Sequence, residues 1–140
     1  MLELTSGEAM SVSSDTVSVS AGSSVEIGSG DTIQVMGDVV SVESVELLEA
    51  ESERVSVSAG AMDVFSGGDA SMTVGGGLSL GAGGSGSALF GDGVSVVGSS
   101  VMIEGGDRLV GAAAEVDVTG SENVRAVSYT HLTLPTTPYV

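Results

Sequence analysis

Apolar and polar residues alternate in short bursts along this chain, each burst an apolar–polar–apolar triplet followed by Gly, Ser, Asp or Ala. The triplets are Leu2-Glu3-Leu4, Met10-Ser11-Val12, Val17-Ser18-Val19, Val25-Glu26-Ile27, Ile33-Gln34-Val35 and Val40-Ser41-Val42. They continue as Val45-Glu46-Leu47, Val55-Ser56-Val57, Met62-Asp63-Val64, Met72-Thr73-Val74, Leu78-Ser79-Leu80, Ala88-Leu89-Phe90 and Val94-Ser95-Val96. Val101-Met102-Ile103, Leu109-Val110-Gly111, Val116-Asp117-Val118 and Val124-Arg125-Ala126 complete the series. These 17 units start between residues 2 and 124, a mean step of 122/16, or about 7.6 residues. Strand side chains alternate between faces, so each triplet puts two apolar residues on one side and the middle residue on the other. The middle residue is polar or charged except at Leu89, Met102 and Val110. Helical spacing would need apolar residues three and four apart, which these steps do not keep on one face.

Between the triplets stand turn-forming runs such as Ala21-Gly22-Ser23-Ser24, Gly28-Ser29-Gly30-Asp31, Gly67-Gly68-Asp69 and Gly105-Gly106-Asp107. In such runs Gly supplies positive φ, and Asp or Ser bonds to nearby backbone. One unit cannot fold alone, because burying two Val side chains yields only about 3–6 kcal/mol. Ordering seven or eight residues costs on the order of 8–15 kcal/mol of backbone entropy. Pairing with rungs above and below must supply the difference, the one-dimensional logic of a solenoid. The expected fold is therefore all-β, a repetitive β-solenoid or triple-stranded β-helix of short strands. Either one chain supplies three strands to each coil of about 23 residues, or three chains supply one strand each to every layer.

The beat is steadiest over residues 2–42, with steps of 8, 7, 8, 8 and 7. It breaks at Glu46-Leu47-Leu48-Glu49-Ala50-Glu51-Ser52-Glu53-Arg54, which reads as an acidic turn bulging from a rung in preference to one turn of helix. Nine glycines fall from Gly75 to Gly93, and compatible spacing on both sides indicates that the coil continues through tight turns. Residues 94–126 return to steps of 7 and 8.

Composition narrows the class. At 140 residues the chain is at most one ordinary domain, and its apolar content is mainly Val, Ala, Leu and Met, with no Trp. That describes a thin core of small residues. Nineteen acidic residues against three Arg give a net charge of −16, which repels nucleic acid and anionic membranes. The same charge discourages edge-to-edge pairing of a strand-rich rod. There is no Cys for disulfides, no apolar stretch long enough to cross a bilayer, and no signal peptide within residues 1–20. The beat already runs at Leu2, so residues 1–126 read as an internal fragment of a longer repeat protein.

From Val127 the character changes. Both Pro, both Tyr and His131 lie beyond residue 126, and Gly, Asp and Glu vanish. Val127-Ser128-Tyr129-Thr130-His131-Leu132-Thr133-Leu134-Pro135-Thr136 resembles the translated adapter of a transposase-based sequencing library, which reads GTC TCT TAT ACA CAT CTG ACG CTG CCG ACG in this frame. The preceding adapter bases CT would end an Ala126 codon, a variable index accounts for Thr137-Pro138-Tyr139, and GTG TAG gives Val140 and a stop. The resemblance implies a non-native, disordered tail over residues 127–140, which is excluded from fold reasoning.

Candidate chemistry is sparse. Without His131 there is no His, Cys or Lys, so Ser–His and Cys–His catalysis and His- or Cys-ligated zinc lack their parts. Glu3, Glu26, Glu46, Asp63 and Asp117 occupy outward middle positions and read as a solvated face. Calcium is the one sharp hypothesis. Gly28-Ser29-Gly30-Asp31-Thr32-Ile33 and Gly105-Gly106-Asp107-Arg108-Leu109 resemble the Gly-rich half of calcium-binding β-rolls of the RTX family. That resemblance makes Asp31, Asp69 and Asp107 the candidate ligands, since stacked turns align oxygen donors as Ca²⁺ requires. The nine-residue register of that family is missing, and Gly67-Gly68-Asp69 sits three residues before Met72. Residues 2–126 as a whole resemble octad-type β-helix spikes and the Ser/Gly/Val-rich repeats of surface-fibre adhesins.

The resulting expectation is a structural stalk, spike or surface-fibre segment: no enzyme, no nucleic-acid partner, no membrane insertion, an extracellular or cell-surface location, and self-association or a homotrimer as the partner. The alternatives are a calcium-binding β-roll and a non-native reading frame of GC-rich DNA. The regular polar middle positions count against the last.

Overall fold

A computed structural model describes residues 1–128 of the chain, with side chains described through Arg125. The tail that resembles an adapter lies outside the described residues from Tyr129 onward, as does His131. All described secondary structure is strand: β1 (Leu2–Ser6), β2 (Met10–Ser13), β3 (Thr16–Ala21), β4 (Ser24–Ser29), β5 (Thr32–Ser44) and β6 (Leu47–Ser52), then β7 (Arg54–Ser66), β8 (Asp69–Ala82), β9 (Ser85–Phe90), β10 (Gly93–Gly105), β11 (Arg108–Ala112) and β12 (Glu115–Ser128). Every pairing is parallel. Parallel strands need a long return connection, usually a helix. Here the return is the rest of the coil.

The fold is a single-chain, three-sided β-solenoid, and all three strands of each layer come from one chain. On the first face Leu2 pairs with Val25, Val25 with Leu48, Leu48 with Ala70, Ala70 with Val94, and Val94 with Val116. The second face stacks Met10, Ile33, Val55, Leu78, Val101 and Val124. Val17, Val40, Met62, Gly86 and Leu109 form the third. Differences between partners give coils of 22 to 24 residues, as in Leu48 to Ala70 (22), Leu2 to Val25 (23) and Ala70 to Val94 (24). The strands β5, β7, β8, β10 and β12 each run through a corner and serve two faces.

These pairings correct three triplets. The rung after Val40 is Leu48-Glu49-Ala50, leaving Val45 55% exposed in a turn. The rung after Met62 is Ala70-Ser71-Met72, and the one after Leu78 is Gly86-Ser87-Ala88. With these replacements the starts become 2, 10, 17, 25, 33, 40, 48, 55, 62, 70, 78, 86, 94, 101, 109, 116 and 124, and every step is 7 or 8. Only Met102 and Val110 remain apolar at the middle position. Residues 47–52 are thus the strand β6, neither a bulging turn nor a helix, with Leu48 and Ala50 inward and Glu49 outward. The glycine-rich stretch continues the coil, as its spacing indicated.

The turns work differently from the expectation. No glycine among the described residues has positive φ. At the corner before the first face, a Cβ on Gly67 would collide with the carbonyl oxygen of Val45, and one on Gly91 with that of Gly67. Glycine is needed there because backbone stacks directly on backbone, not for a left-handed conformation.

The core is the coil's axis. Val25, Val40 and Val101 are fully enclosed, and Ile33, Val55, Val74, Leu78, Val96 and Val101 form the largest buried cluster. A third inward residue also follows each pair, four positions after the unit starts. Ser29, Ser44, Ser52, Ala59, Ser66, Val74 and Ala82 are all buried in this role. Small residues fit there because the chain turns the corner at that point.

Candidate functional site

The three calcium candidates occupy three different edges of the coil. Asp31 lies at the corner between the first and second faces, Asp69 begins β8 at the corner between the third and first, and Asp107 sits between the second and third. The structure does not bring them together. All three are exposed.

Each is tied into its turn mainly by backbone. The amide of Asp31 donates to the carbonyl of Glu8 at 3.3 Å, and its own carbonyl accepts from the Arg54 amide at 2.9 Å. Thr32 Oγ1 donates to Asp31 Oδ1 at 3.3 Å. The carbonyl of Asp69 accepts from Ser66 Oγ at 3.0 Å, and the amide of Asp107 donates to the Gly84 carbonyl at 3.1 Å. Among the described residues no three His, Cys, Asp or Glu side chains converge as a metal site would require.

The buried polar groups are the serines of the corners. Sequence reasoning assigned Ser29 and its equivalents to turns; the structure puts their hydroxyls inside. Ser44 Oγ donates to Ser66 Oγ at 3.2 Å, and Ser66 passes the chain on to Asp69. At the next corner Ser52 Oγ lies 3.0 Å and 3.1 Å from the carbonyl oxygens of Asp31 and Arg54, and Ser29 Oγ donates to the Glu8 carbonyl. Every buried side-chain polar atom among the described residues has a partner. The signal for these residues was a small side chain four positions after each unit start, visible in Ser6, Ser29 and Ser52.

The outer walls differ in chemistry. The first face carries Glu3, Glu26 and Glu49 in direct register. The second presents Ser11, Gln34, Ser56 and Ser79, and the third Ser18, Ser41, Asp63 and Ser87. A parallel sheet is normally covered on both faces. Here one face is solvated, and hydroxyls and carboxylates keep it so. Where serine meets carboxylate, as in Ser23 Oγ to Glu46 Oε2 at 2.8 Å, the pair is exposed on a corner.

No protein-family model, no curated protein and no solved structure matches this chain.

Proposed function

We propose that this chain is a structural repeat segment of a longer fibrous, spike or surface protein, without catalytic activity and located outside the cell. The observation that carries this reading is the unbroken stacking of all three faces, with every step 7 or 8 residues from β1 to β12. A coil that repeats without a bulge or inserted loop transmits length and stiffness, and its stability accumulates through neighbouring coils. The polar outer walls and the net charge of −16 suit a rod that stays soluble at high local density. Fold alone does not fix function, so the reading rests on this regularity and on the absence of converging chemistry among the described residues.

The reading also takes residues 127–140 as adapter-derived. Re-sequencing an independent clone beyond codon 126 tests that directly: native codons for Val127 to Val140 would refute it.

Circular dichroism with and without Ca²⁺ tests the stalk against the β-roll. A stalk whose interior is apolar shows full strand signal in a chelator, with no change on adding Ca²⁺. Strand signal that develops only with Ca²⁺ would replace the stalk with a calcium-loaded roll.

A further inference from the structure

The inward residues do not fill the coil. An apolar cavity of about 290 Å³ lies along its axis, touched by Leu4 in the first coil and Val118 in the last. Six layers on the first face are five steps apart, so at about 4.8 Å per step the space extends roughly 24 Å. Ala70, Ala88 and Gly111 line it at stations where other coils place Val or Leu. Engineered protein cavities of about 150 Å³ with apolar walls stay dry and take up small apolar molecules. This one is larger, and the buried hydroxyls around it are already bonded to one another and to backbone. Water entering it would find no partner.

Access is from the ends. Val12 and Val116, which line the cavity in the terminal coils, are 37% and 57% exposed, whereas Val25 and Val40 between them are closed off. The mouths are acidic. Glu3, Glu8 and Asp15 stand on the first coil, and Glu115, Asp117 and Glu122 surround the last, with Arg108 and Arg125 near by.

We propose that the lumen binds an unbranched aliphatic chain carrying an uncharged head group. Its length and narrowness select a linear guest over a compact one, and the carboxylates at the mouths disfavour an anionic head. The proposal goes beyond the stalk reading and does not depend on it.

Titration calorimetry on the whole chain tests it with 1-octanol, octanoate and the cage alcohol 1-adamantanol. Saturable binding is expected for 1-octanol, affinity at least about tenfold weaker for octanoate, and no saturable heat for 1-adamantanol. Gly111→Leu supplies the structural control. A Cβ there meets nothing within 4 Å and the backbone is not left-handed, so the variant folds while its side chain enters the lumen. Its affinity for 1-octanol should fall at least about tenfold with the strand signal unchanged. Ala88→Leu repeats the block from the middle of the coil. Non-saturable heat with 1-octanol, equal binding of 1-adamantanol, or undiminished binding in a folded blocked variant would each overturn the proposal.

Discussion

Ser66 has no exposed surface, and its hydroxyl accepts from Ser44 while donating to the Asp69 carbonyl. Replacing it with Ala would leave both neighbours buried and unpaired. Because desolvated groups without partners are costly, Ser66→Ala should lower stability by about 1–3 kcal/mol in urea unfolding. An unchanged midpoint would show that this corner serine ladder is decorative. Glycines separate along the same line. Gly91→Ala drives a Cβ into the Gly67 carbonyl oxygen, backbone that cannot swing aside, whereas a Cβ on Gly22 meets nothing within 4 Å. The first substitution should cost more than about 1 kcal/mol and the second be neutral or stabilising by a few tenths. Equal effects on melting temperature would contradict the stacked-corner geometry.

Strands on the first face line up like charges. Glu3, Glu26 and Glu49 are direct neighbours across β1, β4 and β6, an arrangement that opposes pairing. Removing the central charge with Glu26→Gln should stabilise the protein by about 0.5 kcal/mol at low salt, and the gain should shrink as ionic strength rises. A destabilised variant, or a gain insensitive to salt, would mean the carboxylates are held by something other than this register. The strands also show where the sequence was legible. Large β-branched residues on alternating positions announced most rungs by themselves. Rungs built from small residues did not: Ala70 and Gly86 are inward but carry too little apolar surface to stand out beside Val74 and Phe90. Those larger residues also point inward, as the third member of their rungs, which shifted the apparent beat. Leu48 was hidden differently, among glutamates whose composition favours helix.

At the scale of the molecule, the coil period followed from spacing, but the number of chains per layer did not. Apolar pairs seven or eight residues apart satisfy one chain winding three times or three chains winding together, because both bury the same side chains. Intrachain pairing at offsets of 22 to 24 residues settles the choice. The lumen was invisible for a related reason: a void is a sum over three faces, and no single strand shows it. The candidate calcium residues were recognisable as turn aspartates, yet which edge each would occupy depended on the phase of every rung before it. Spin labels on cysteines replacing Glu26 and Asp117, diluted with unlabelled chain, test the single-chain coil most directly. Both positions project from the first face, and four pairing steps separate them, through Glu49, Ser71 and Ser95. Electron–electron double resonance should therefore report a distance near 19 Å, four steps of about 4.8 Å. A three-chain helix with one strand per layer would put twelve layers between them, and a distance near 58 Å, twelve steps of about 4.8 Å, would contradict the fold described here.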